Sequence, residues 1–273
     1  MEFINSLFEY SFLQYAVIAC FLASISCGII GSFVVVKRIS FLTGGIAHSA
    51  VAGMGAAYFF AASPLIGAMI SAVLAALLIG WIHLQHHEHE DVLIAAFWSC
   101  GMAIGILFLS KTPGYNVDIM SYLFGNILLV TQQDVLLMLV LDIMVVGISF
   151  IYYKQFLASV FDEEFARLRG INIKFFYLLL LCMISLTIVL MIQLVGVIMV
   201  IALLTLPAAI ANQYTHSLHK MFMMAAVICL FLSLAGLVLA YEPDLPSGSV
   251  IVLLTCISYF MSLIVSKRLK RLR

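Results

Sequence analysis

The chain has 273 residues, 65% hydrophobic and 10% charged, with a mean hydropathy of +1.20. A soluble domain carries about 25% charged residues, so the composition excludes a soluble enzyme. The 13 basic and 13 acidic residues cancel, which removes any electrostatic case for a nucleic-acid partner.

Crossing the hydrocarbon of a bilayer takes about 20 largely apolar residues in a helix that satisfies its own backbone hydrogen bonds. Residues 13–36 hold no Asp, Glu, Lys or Arg and form the first predicted span. Residues 39–87 lack the same four types and are long enough for two crossings, 43–62 and 65–82, with a break at Ser63-Pro64. A fourth span covers 92–110, and a fifth covers 135–153 with Asp142 inside it. The uncharged stretch 175–219 folds most simply as two helices turning near Gln193 to Gly196, and spans 221–241 and 249–266 complete the set. The predicted fold is therefore an all-α polytopic membrane protein of about nine transmembrane helices, within a range of eight to ten, forming one permease-like domain over 1–273. Residues 119–130 are apolar but too short to cross, which suits a re-entrant or half helix. The six cysteines sit inside apolar runs with no CxxC pair, so they read as small hydrophobes, with neither a disulfide framework nor a thiolate metal site.

Basic residues collect in cytoplasmic loops. With the tail (Lys267, Arg268, Lys270, Arg271, Arg273) inside, nine spans place Lys220, Lys154, Arg167, Arg169, Lys174, Lys37 and Arg38 inside as well. This suits a multi-pass protein of the plasma or inner membrane. Met1 to Tyr10 lacks the basic start of a cleaved signal peptide and is expected to stay on the protein.

The most informative stretch runs from Lys37 to Gly53. On a helix, Gly45, Ser49, Gly53, Ala57 and Ala61 make one stripe of small residues, while Gly44, His48, Ala52 and Ala56 make the adjacent one. Small stripes let neighbouring backbones approach closely, so His48 faces protein or a water-filled path. An ionisable residue there is a functional candidate, and neutral imidazole is a common transition-metal ligand; the alternative is a hydrogen-bonded structural histidine. Asp142 reads first as a carboxyl partnered across a helix interface, and Asp118 as a residue of an outer loop. His83, His86, His87 and His89, interleaved with acids, offer zinc-type ligands in an inner loop, or a merely solvated polar turn.

From Phe161 to Gly170 acids come first, bases last and glycine at the stop, the charge order of a short helix. It would present Phe161, Phe165 and Leu168 on one side, for a soluble partner or for lipid headgroups. A nucleotide-cradling GxxxxGK[ST] and a GxSxG nucleophile are both missing.

These residues resemble the membrane permeases of the metal-ion ABC importers, whose members carry zinc, manganese or iron(II). The resemblance runs from Gly31-Ser32-Phe33-Val34-Val35 to Pro246-Ser247-Gly248 and includes Arg38 to Gly53, Asp118 to Asn126, Thr131 to Asp134, Ala166 with Gly170, and Val195-Gly196 to Leu206-Pro207-Ala208. It implies the fold of a type II importer permease, a homodimer of this chain in the lipid bilayer, two cytoplasmic ATP-binding subunits that carry the ATPase chemistry, and an extracytoplasmic metal-binding protein. The chain itself would be no enzyme and would hold no covalent cofactor, only its cargo.

By the same resemblance His48 and Asp118 become pathway candidates, with Gly44, Gly45, Ser49 and Gly53 packing around them. Asp162, Glu163, Glu164, Phe165, Ala166 and Gly170 become the element that touches the ATPase. Many members carry an Asp four residues before the histidine, whereas Gly44 stands there in this chain, a form similar to a zinc-type branch. Zinc is thus the first expectation for the cargo, with manganese or iron(II) behind it. An ion-coupled secondary transporter using Asp142 and His48 is the alternative from another class, and an intramembrane enzyme ranks last.

Overall fold

The computed structural model describes residues 7, 9–85, 90–112, 123, 125, 127–243 and 245–271. Among these the regular structure is entirely helical. Nine main helices take up the nine predicted spans: α1 (Ser11–Lys37), α2 (Ser40–Phe59), α3 (Pro64–Gln85), α4 (Glu90–Ser110), α5 (Gln132–Ile151), α8 (Ile173–Val195), α9 (Val200–Tyr214), α10 (Leu218–Tyr241) and α11 (Ser247–Arg271). Two short helices, α6 (Tyr153–Phe161) and α7 (Glu163–Leu168), lie between α5 and α8. Within 119–130 the described residues include a 3-10 turn, Ile127–Leu129.

Seven of the nine are long and apolar enough to cross a membrane: α1, α3, α4, α5, α8, α10 and α11. Helix α9, with only 15 residues, is shorter than the predicted span. Helix α2 has the length but carries four glycines, two serines and His48. It tolerates them because most of its residues are buried against protein, so its surface need not match hydrocarbon. Elsewhere large apolar side chains point outward, Phe150 at 84% exposure and Phe231 at 71% among them. Such exposure would be an aggregation hazard in water and is the expected outer surface in lipid.

Local chemistry sets the helix ends. Pro64 opens α3 at the first helical position, where its missing N–H costs nothing. Thr131 and Asp134 form a capping box on α5: the Thr131 hydroxyl accepts from Asp134 N at 3.3 Å, and the Asp134 carboxylate accepts from Thr131 N at 2.9 Å. Gly196, at φ 80°, makes the turn out of α8.

The packing falls into two compact units. One contains residues 1–35, 121–147 and 190–273. In it α9, α10 and α11 pack on one another. A side chain added at Gly31 would meet Leu204 O at 2.1 Å, and one at Gly28 would meet Ala226 Cβ at 2.6 Å, so α1 lies directly against the backbones of α9 and α10. Pro207 lies inside α9 and cannot donate to the Leu203 carbonyl one turn earlier. The Cys27 thiol of α1 donates to that carbonyl instead, at 3.0 Å.

The other unit contains residues 36–120 and 148–189. In it α2 packs on both α3 and α4, Phe156 and Tyr152 stack edge-on against Phe176, and Gly80 of α3 meets Leu178 and Leu181 of α8. All of the geometry around His48 lies within this unit.

Candidate functional site

Helix α2 begins immediately after a sharp turn. Helix α1 stops at Lys37, Arg38 adopts a left-handed φ of 60°, and the chain re-enters helix at Ser40. From there small residues draw two neighbours onto α2. A Cβ on Gly53 would stand 2.1 Å from Gly67 O, and one on Gly67 would stand 2.2 Å from Gly53 O, so α2 and α3 touch backbone to backbone. On the α4 side, a Cβ added at Gly55 would stand 2.5 Å from Gly105 O, one at Gly101 would stand 2.6 Å from the Ser49 Cα, and one at Gly45 would stand 2.8 Å from the Ile94 side chain. The Ser49 hydroxyl lies 2.7 Å from Gly45 O in its own helix and 3.3 Å from Phe97 O of α4.

The predicted stripe holds from Gly45 to Ala57 and ends there. Ala61 lies past the end of α2, at φ 53° and exposed, because the chain turns at Phe60 towards Pro64.

His48 is enclosed by this packing, at 5% exposure. Its ring stacks on Trp98 of α4, with centroids 4.1 Å apart and planes inclined by 16°. Its Nδ1 is buried and has no hydrogen-bond partner among the described residues. Stacking covers a face of the imidazole, whereas the nitrogen lone pair lies in the ring plane, so the coordinating edge stays clear of the indole. One turn earlier Gly44, also buried, supplies no ligand atom. Among the described residues no three His, Cys, Asp or Glu side chains gather closely enough to hold a metal ion.

The other candidates divide between described and undescribed positions. Asp118, His86, His87 and His89 fall outside the described residues. His83 stacks on Tyr177 at 5.0 Å. In the other unit, Asp142 is 3% exposed and accepts a hydrogen bond from Ser26 of α1, the interhelical partner expected for a carboxyl inside a span. Its Oδ2 has no partner among the described residues.

The segment 161–170 is not one helix but the end of α6 followed by α7, because Asp162 is extended at φ −149°. Its carboxylate caps α7 by accepting from Phe165 N at 2.9 Å. Gly170, at φ 73°, ends the element, and Ile171 N donates to Ala166 O at 3.0 Å. Ala166 is fully buried, whereas Phe161, Phe165 and Leu168 are exposed and Glu164 is solvent-facing. Lys37 ties this element to the end of α1, pairing with Glu163 at 2.6 Å and donating to Ser159 O at 3.3 Å.

Sequence reasoning missed Trp98, the Ser26 partner of Asp142 and the Lys37 tie. Gly101 and Gly105 were legible as a GxxxG pair, the one available signal that α4 approaches α2.

Buried small-residue contacts, an outer surface of large apolar side chains and seven helices fit to cross a bilayer define a multi-pass membrane protein. Residues 9–266 match the ABC 3 transport family. The chain is 40% identical to the "Probable metal transport system membrane protein" of Chlamydia muridarum, over 92% of this chain and 88% of that one. It is 33% identical to the Listeria monocytogenes "Manganese transport system membrane protein MntC", over 96% and 93%. Among solved structures it superimposes on PsaBC from Streptococcus pneumoniae, determined in complex with Fab, with a TM-score of 0.87, 30% identity and coverage of 96% and 94%. The chain belongs to the ABC 3 transport family, the metal-ion ABC importer permeases that its motifs resemble.

Proposed function

We propose that this chain is the membrane subunit of an ATP-driven importer that moves a divalent metal ion into the cytoplasm past His48. The observation that carries the reading is a buried imidazole whose Nδ1 has no partner among the described residues, beside a close contact of α2 with Gly101 of α4. Conduction requires binding loose enough to release, and a single imidazole without the carboxylate that Gly44 replaces supplies a weak ligand set. The whole chain acts as one permease domain and pairs with a second copy. Cytoplasmic ATP-binding subunits bear on Phe161, Phe165 and Leu168, and an extracytoplasmic protein delivers the ion. Nothing in the sequence offers a nucleotide-binding loop, so the ATPase chemistry belongs to the partner.

Zinc is the cargo that the ligand chemistry favours, because imidazole suits zinc whereas manganese prefers carboxylate oxygen. A second reading, manganese, is favoured by the name of the Listeria relative. Competition uptake by metal-starved cells expressing the chain with its ATPase and binding protein separates them. Zinc uptake that equimolar manganese leaves unchanged is expected, and manganese uptake that zinc does not suppress would reverse the assignment.

A further inference from the structure

We infer that Trp98 is the positioning residue of the His48 site, fixing the plane of the imidazole so that its nitrogen edge meets the passing ion; the inference rests on the proposed pathway role of His48. Two rings of α2 contact the indole. Its far neighbour is Phe41, also on α2, with ring centroids 6.1 Å apart, and His48 stacks on it at 4.1 Å. The residue before it, Phe97, presents its carbonyl 3.3 Å from the Ser49 hydroxyl. One turn later, Gly101 lies against the backbone of His48 and Ser49. Helix α4 is thereby registered on α2 at the level of the histidine.

A histidine that ligates a metal usually has its plane fixed by a hydrogen bond from its second nitrogen to a carboxylate or carbonyl. Here Nδ1 has no such bond among the described residues, and no carboxylate stands one turn away at Gly44. Stacking fulfils the orienting role without engaging either nitrogen.

The chain contains two tryptophans, Trp81 and Trp98, so a Trp81→Phe background isolates the fluorescence of Trp98. Trp81 is exposed on α3 and forms no part of the site. Cobalt(II), an open-shell ion that prefers imidazole, is the probe. In the purified full-length chain, saturable quenching of Trp98 by cobalt(II) is expected, and His48→Ala is expected to abolish it. In uptake assays of the complex, Trp98→Ala is expected to raise KM for zinc about three- to tenfold, the range of one aromatic pair. Trp98→Phe, which keeps a stacking face, is expected to stay within about twofold of the parent on the same basis. An unchanged KM in Trp98→Ala, a Trp98→Phe protein as impaired as the alanine variant, or quenching that persists in His48→Ala overturns the positioning role. Full transport by His48→Ala would instead defeat the pathway reading beneath it, so the two failures are distinguishable.

Discussion

His48→Ala is expected to lower metal uptake by at least about a hundredfold while the permease still accumulates in the membrane. The size of the effect follows from the ligand inventory. Loss of an outer-shell partner already costs a metal site about 10- to 100-fold, and His48 is the only metal-binding side chain enclosed by α2, α3 and α4 among the described residues. One turn earlier Gly44 offers no ligand atom to substitute for it. The fold should survive, because α2 is held by Gly53 on Gly67 and by Gly101 and Gly105 on α4, contacts that do not involve the imidazole. The variant loses the stack on Trp98, a pair worth about 0.5–1.5 kcal/mol. Labelled zinc uptake normalised to the amount of permease in the membrane checks both halves of the expectation. A variant that accumulates normally and transports at full rate makes His48 a structural residue.

Gly53→Leu is expected to abolish the folded protein itself. A first side-chain carbon at this position would stand 2.1 Å from Gly67 O and 2.4 Å from the Ser71 hydroxyl. Gly67 is itself backbone against backbone and cannot yield by rotating a side chain, so α3 would have to move away from α2. In lipid, helix association depends on such close van der Waals packing, because the tails are as apolar as the helices. Overpacking a well-fitted contact commonly costs about 1–3 kcal/mol, and leucine adds three more carbons beyond the clash. The contrasting substitution is Gly147→Ala, where an added Cβ meets nothing within 4 Å. Helix propensity there favours alanine by up to about 1 kcal/mol. Membrane accumulation and thermal unfolding in detergent are expected to separate the two glycines cleanly. Equal stability of both variants would mean that α2 and α3 do not approach at Gly53.

Much of this architecture was legible because lipid is an undemanding solvent to read. Runs nearly free of Asp, Glu, Lys and Arg announce helices, and the nine predicted spans fall on the nine main helices described. The small-residue stripe from Gly45 to Ala57 likewise follows from periodicity alone. What periodicity does not encode is which neighbour fills the groove. Trp98 lies in an apolar span with nothing to single it out, since a stack between two helices leaves no signature in either. The Asp142 carboxyl announced its need for a partner but not that Ser26 would meet it, 116 residues away. The extended backbone at Asp162 also escaped notice, because Asp is compatible with both a continuous helix and a cap; the structure uses it as the cap of α7. At His48 the sequence indicated a buried imidazole among small residues, whereas the orientation of the ring depended on tertiary contact.

ATP-driven passage of a metal through this chain is tested by the energy source that accumulation requires. The most direct measurement reconstitutes the permease with its ATP-binding and metal-delivering partners in proteoliposomes and follows zinc accumulation with ATP present or depleted, and with the proton gradient intact or collapsed. Accumulation that requires ATP and ignores the gradient is the predicted result. Accumulation that persists without ATP and vanishes with the gradient would contradict the account and make the protein an ion-coupled carrier.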